Sequence, residues 1–178
     1  MTMSPTSYEP LTEAHLRRLA ELAYEDHAEL MRRHPHLRVL RDRVLLTALC
    51  QGGALHWVDG KNGVKDLDVF TFYARHPEQP YPPRRRKRGD FGASDFGRHP
   101  ADVGYSGRRM DFMGKDLDVP ADADPVDAVR SYLRGRRTGT AWHLSQKPVV
   151  VIGPNHLSPM SFGPSRSLWW FKPGSEDR

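Results

Sequence analysis

Apolar residues recur at three- to four-residue spacing through Leu16, Leu19, Ala20, Ala23, His27, Leu30 and Met31. That period puts them on one face of an α-helix, with Thr12 in the N-cap position and Pro35 closing the segment. A second apolar segment, Val39 to Cys50, contains Val44-Leu45-Leu46 and Ala48-Leu49-Cys50 and ends on Gly52-Gly53. Periodicity cannot separate helix from buried strand over so short a run, and a helical first half followed by a strand fits it. Val64 to Tyr73 is dense in β-branched and aromatic residues, which predicts a strand over about 66–74, inside a sheet.

Residues 76–107 break the pattern with Pro77, Pro80, Pro82, Pro83, the basic run Arg84-Arg85-Arg86-Lys87-Arg88, and repeated Gly and Asp. They read as a long basic loop. Order resumes at Arg108 to Met113, a short strand. Asp124-Pro125 supplies an N-cap and a proline at the first helical position, Val126, Val129, Tyr132 and Leu133 form one apolar face, and Gly135 ends the helix. Pro148 to Ile152 signals another strand. In the Pro-, Ser- and Gly-rich tail, Leu168-Trp169-Trp170-Phe171 is an aromatic segment expected to pack on the body. The order of elements predicts one mixed α/β or α+β domain over 1–178. Lys-Asp-Leu-Asp-Val occurs at both 65–69 and 115–119, and chance explains the repeat, since only the first copy runs into an aromatic strand.

A chain of 178 residues is long enough to bury one real core. The single Cys50 excludes an intramolecular disulfide framework and a CxxC metal site, which fits a reducing cytoplasm. No apolar run reaches membrane-spanning length, and MTMSPTSYEP has no signal-peptide layout, so a protein without membrane contact is expected. A net charge of +5 and a pI near 9.6 lean toward polyanionic partners, although 22 acids among 27 bases make much of that charge mixed surface.

Strand alternation puts Asp66 and Asp68 on the same face as Phe70 and Phe72, with Leu67, Val69 and Tyr73 opposite. Two carboxylates about 6 to 7 Å apart on a strand repel each other. A divalent cation relieves that repulsion, because Mg²⁺ takes carboxylate oxygens together with phosphates and waters. Asp111, the only acid in the next apolar strand-like run, is the candidate third carboxylate, with Asp90, Asp95 and Asp102 as rivals and a salt bridge to Arg108 or Arg109 as the plainer role. Gly52 and Gly53 would let the backbone approach a triphosphate closely.

Gly52-Gly53-Ala54-Leu55-His56, followed by Lys65-Asp66-Leu67-Asp68-Val69-Phe70 and the later Arg109-Met110-Asp111-Phe112, resembles the signature of the DNA polymerase β-like nucleotidyltransferases. Within that superfamily it is similar to the abortive-infection, toxin-type branch. The likeness spans about residues 42–113. It implies a mixed sheet flanked by helices, with Asp66, Asp68 and Asp111 as catalytic metal ligands for Mg²⁺ or Mn²⁺. It also implies Gly52 and Gly53 as the phosphate-contacting turn, with Lys65 beside the nucleotide. The implied activity moves a nucleoside monophosphate from a nucleoside triphosphate (NTP) to a hydroxyl acceptor, with RNA preferred and an antitoxin or other protein as partner. Lys65 stands where Ser or Thr is frequent, Lys61 where Arg is usual, and the larger C-terminal portion of the toxin-type enzymes is not visible.

Two other readings use the same residues. In a metal-dependent nuclease the acids hold Mg²⁺ while a lysine activates water. A non-catalytic basic module keeps the fold and binds nucleic acid or a protein. Lys61, Lys65 and Lys147 are candidate triphosphate contacts, and the 84–88 run with Tyr81 and Phe91 could hold and stack a polyanionic acceptor. His27, His56 and His143 lie in apolar contexts as structural histidines, and no HExxH, GxSxG or P-loop is present.

Overall fold

Thr12 accepts a hydrogen bond from the His15 amide while His15 Nδ1 accepts one from the Thr12 amide, and this reciprocal cap starts helix α1, Glu13–Arg33. The computed structural model describes residues 8–153 and 168–169. A 3₁₀ segment, Pro35–Arg43, leads from α1 into β1, Val44–Cys50, the expected change from helical to extended backbone within one apolar run. Helix α2, Gln51–Asp59, follows without a loop and ends on the left-handed Gly60. Then come β2, Leu67–Ala74; β3, Arg86–Asp90; β4, Arg109–Leu117; α3, Pro125–Gly135; α4, Gly139–Ser145; β5, Val149–Gly153; and β6, Leu168–Trp169.

The strands form one mixed sheet in the order β3-β4-β2-β1-β5-β6, in which β2 and β4 run parallel and the other pairs antiparallel. Helices flank it on both sides. Leu16, Leu19 and Ala23 of α1 and Ala54 of α2 pack with Leu49, Leu67, Val69 and Ile152 on one face. Ala128, Val129 and Leu133 of α3 and Leu144 of α4 cover Ala48, Phe70, Phe72 and Val151 on the other. Leu67 and Val69 therefore face α1 and α2, and Phe70 and Phe72 face α3 and α4, as period-2 alternation requires.

Several expectations are corrected. Strand β2 begins at Leu67, so Asp66 lies at its entry rather than within it. The 76–107 segment is not loop throughout, because Arg86–Asp90 pairs antiparallel with β4 as an edge strand; its charged side chains suit an edge that must resist pairing with other chains. Gly52 and Gly53 do not form a turn between elements and belong to the first turn of α2. Helix α3 includes Gly135, and Arg136 takes the left-handed position at φ 47°. Helix α4 had no counterpart in the pattern analysis. Of the tail, Leu168–Trp169 pairs with β5, while the rest of the 155–178 segment, including Trp170 and Phe171, lies outside the described residues.

His27 and His56 are buried and engaged as structural histidines. The former stacks on Tyr73 with Nδ1 2.9 Å from the phenol oxygen, and the latter lies against the carbonyls of Asn62 and Glu9. His143 instead lies exposed on α4, edge-on to Trp142. Tyr81 and Phe91 are only 5% and 6% exposed, stacked on Tyr73 and edge-on to His15 respectively, so neither presents a face to a base. Among the described residues no helix is long and apolar enough to cross a membrane.

Candidate functional site

The sheet register brings the sequence-derived residues into a row. Cys50, the last residue of β1 and N-cap of α2, is paired with Asp68 on β2, and Asp68 is paired with Asp111 on β4. Directly paired residues present their side chains to the same face. Asp68, Asp111 and the start of α2 thus meet at one end of the sheet, with Asp66 just ahead of Asp68. Of the rival acids, Asp90 accepts the amides of Gly92, Ser106 and Gly107 and staples a loop, Asp95 is exposed, and Asp102 meets Arg109 at 3.5 Å. Asp111 is therefore the third member of the cluster.

Two arginines enter this cluster. Arg109 precedes Asp111 by two residues on β4 and shares its face. Its Nη2 donates to Asp66 Oδ2 at 2.7 Å and to Asp111 Oδ2 at 3.3 Å. Arg86, on edge strand β3, donates to the same Asp111 oxygen at 2.7 Å. Arg108 turns away to the carbonyls of Lys65 and Phe96, so the salt bridge open to either neighbour goes to Arg109. No local signal marks Arg86, whose strand looks like loop in the sequence, whereas the 109/111 alternation is a signal for Arg109.

The three carboxylates are not equally satisfied. Asp111 is fully buried, and its Oδ1 has no hydrogen-bond partner among the described residues. Asp68 has no ion pair among the described residues. Burial, and then the charges of Asp66 and Asp111, push its carboxyl up to about 6, with Arg86 and Arg109 only partly opposing. Cys50, fully buried beside Asp68, has its thiol pushed up chiefly by burial and is a packing residue rather than a nucleophile. Among the described residues no group of three or more His, Cys, Asp or Glu side chains is placed to hold a metal ion. Mg²⁺ does not require such a group, because it commonly binds through one or two carboxylates and takes its remaining ligands from phosphate and water. The orphaned Asp111 oxygen and the unpaired Asp68 carboxyl fit that requirement.

Gly53 is held close to Leu49 and Leu67, where a Cβ would stand 3.0 and 3.3 Å from their side chains, so a close helix–sheet contact accounts for it. Gly52 faces open space. Cys50 provides no side-chain cap to the first amides of α2, and a helix N-terminus is a place where backbone N–H groups can meet an anion. Gln51, at φ 58°, takes the left-handed backbone between β1 and α2, a strained conformation for a residue with a Cβ. Lys65 is exposed, and only its carbonyl, accepting from Arg108, is engaged.

One step further along the same face, Phe70 and Met113 floor an open cleft of about 440 Å³ walled by Pro83, Arg84, Arg86 and Lys115. Arg84, at φ 61°, is exposed, whereas Arg85 turns inward to a two-pronged pair with Asp26 at 2.7 and 2.8 Å. Compared with known proteins, the chain matches no family model, no curated protein and no solved structure.

Proposed function

We propose that the chain is a metal-dependent nucleotidyltransferase that moves a nucleoside monophosphate from an NTP to a hydroxyl acceptor, with RNA as the favoured acceptor. The observation that carries this reading is the row formed by the open helix start at Gly52, the unpaired Asp68 and the half-satisfied Asp111 across three adjacent strands. The resemblance to the polymerase β-like enzymes stands on the same residues.

A divalent cation held there would neutralise the triphosphate and the charge that builds on the oxygens exchanged at phosphorus. The residues of the chain do the rest. The amides opening α2 hold phosphate oxygens at the positive end of the helix. Asp68 and Asp111 would hold the cation at the sheet, and Asp66 completes the acidic face. The cleft beyond Phe70 and Met113, with Arg84 and Lys115 at its wall, lies on the same face and suits a phosphate-bearing acceptor.

One observation favours a second reading, the non-catalytic basic module: Arg86 and Arg109 already neutralise Asp111 and leave it fully buried. Calorimetric titration of the four NTPs with Mg²⁺, on wild type and on the Asp68→Asn/Asp111→Asn double variant, separates the two. The enzyme reading expects Mg²⁺-dependent binding of at least one triphosphate, lost in the double variant. Folded wild type that binds none of the four, yet binds RNA in a salt-sensitive manner, supports the module.

A further inference from the structure

Arg109 sits inside the acidic cluster and bridges two of its carboxylates. One nitrogen of its guanidinium bridges carboxylate oxygens of Asp66 and Asp111, at 2.7 and 3.3 Å, and the other approaches Asp102 at 3.5 Å. This is not a wandering surface side chain. It is 19% exposed, and its root lies in β4, paired with β2 on one side and β3 on the other. A guanidinium remains charged at every accessible pH, so the cationic side of the bridge does not titrate away.

Oxygens outside that bridge remain on Asp66, whose Oδ1 accepts nothing among the described residues, and on the register partners Asp68 and Asp111. Asp68 keeps a whole carboxyl without a partner among the described residues, and Asp111 keeps Oδ1, buried and unpartnered. They stand on adjacent strands in direct register, which supplies two ligands for one ion.

We propose that Arg109 is a built-in cation of this site, holding oxygens of Asp66 and Asp111 that a second ion would need, so that the site binds a single divalent cation through Asp68 and Asp111. The proposal rests on the metal-dependent reading above and assigns Asp66 to positioning Arg109 rather than to the metal. Arg109 is accordingly a positioning and charge-supplying residue.

The test is Mn²⁺ titration of the full chain without nucleotide, with bound ions counted by electron paramagnetic resonance. Wild type is expected to bind one Mn²⁺ per chain. Arg109→Gln frees the oxygens now bridged and is expected to bind two, while Arg109→Lys, which keeps the charge, is expected to bind one. Asp66→Asn provides a check that does not depend on Arg109→Gln folding, and is expected to hold its Mn²⁺ within about two-fold of the wild-type affinity. Two ions in wild type, one ion in folded Arg109→Gln, or loss of the ion in Asp66→Asn overturns the role of Arg109 and leaves the nucleotidyltransferase reading standing. No Mn²⁺ on folded wild type overturns the single-ion site, while the nucleotidyltransferase reading stands or falls on the Mg²⁺-dependent triphosphate titration above.

Discussion

Asp68 and Asp111 are direct register partners in the only parallel pairing among the described strands, and they differ in how their charge is met. Asp111 is fully buried but accepts from two guanidiniums, whereas Asp68 is left without one. The cost of the cluster in the metal-free protein therefore falls on Asp68. Its carboxyl is pushed up to about 6 by burial and by the two neighbouring acids, from an ordinary value of 3.8. Between those values the folded chain holds a proton that the unfolded chain has lost, so this group's favourable contribution is complete below about pH 4 and lost as pH rises through 6. At neutral pH the corresponding penalty is about 3 kcal/mol at most. Asp68→Asn removes it. In a chelator, urea denaturation should find Asp68→Asn more stable than wild type at pH 7.5, with the difference shrinking toward pH 4. A variant less stable at pH 7.5, or a gap unchanged by pH, contradicts this picture of the cluster.

Arg84 and Lys115 wall the cleft beyond the acids and have no carboxylate partner among the described residues. If an RNA acceptor lies there, each neutralises about one phosphate. The double variant Arg84→Ala/Lys115→Ala should bind single-stranded RNA more weakly and with a flatter salt dependence, its logarithmic slope reduced by about 1.4. Mg²⁺-dependent triphosphate binding should be unchanged. Equal salt slopes for wild type and variant would exclude the cleft as the acceptor's path.

The extent to which this site was legible in the sequence follows from which interactions are local. The 3.6-residue period of α1, the cap at Thr12, the proline start of α3 and the alternation of β2 are local signals, and each element formed where its signal lay. Strand β2 with Asp68, and the strand carrying Asp111, were readable because alternation fixes a face and an apolar strand rarely carries a carboxylate. Strand β3 was not readable. Its residues, Arg-Lys-Arg-Gly-Asp, have no strand propensity, and it exists because β4 offers an unpaired edge to a charged chain. The role of Arg86 was hidden with it, since a contact between residues 25 apart has no period. Helix α4 is only seven residues long, too short to show one.

Arg85 and Asp26 form a bidentate pair, 18% and 12% exposed, that ties α1 to the turn carrying Arg84. Tyr81 adds a third contact, its phenol oxygen 3.2 Å from the same guanidinium. Removing one partner strands a largely buried charge, which costs more than the pair itself contributes. Asp26→Ala should lose about 3 kcal/mol in urea denaturation. Asp26→Ala/Arg85→Ala should recover part of that loss, because no unpaired charge remains. A single variant within about 0.5 kcal/mol of wild type would mean the pair is solvated after all.

Gly107 meets the opposing loop backbone to backbone, and this contact sets the last prediction. A Cβ there would stand 1.7 Å from the carbonyl oxygen of Gly92, a clash that no side-chain rotation relieves. The same loop is held by Asp90, which accepts the amides of Gly92, Ser106 and Gly107; burial raises this carboxyl, but those three donors outweigh it and hold it below the usual range. Gly107 immediately precedes Arg108 and Arg109, so displacing it moves the entry of β4 and the guanidinium between Asp66 and Asp111. Gly107→Ala should therefore destabilise the fold by more than about 2 kcal/mol, as substitutions that force main chain apart do. It should also loosen the site, and wild type and variant should differ in Mn²⁺ affinity even where both are folded. Gly52→Ala is the control. Nothing lies within 4 Å of its would-be Cβ, and it sits in the first turn of a helix that alanine favours, so its stability should hold or rise slightly. If Gly52→Ala keeps full stability yet weakens triphosphate binding, the open space above α2 is space a phosphate uses; if triphosphate affinity is untouched, the phosphates lie elsewhere.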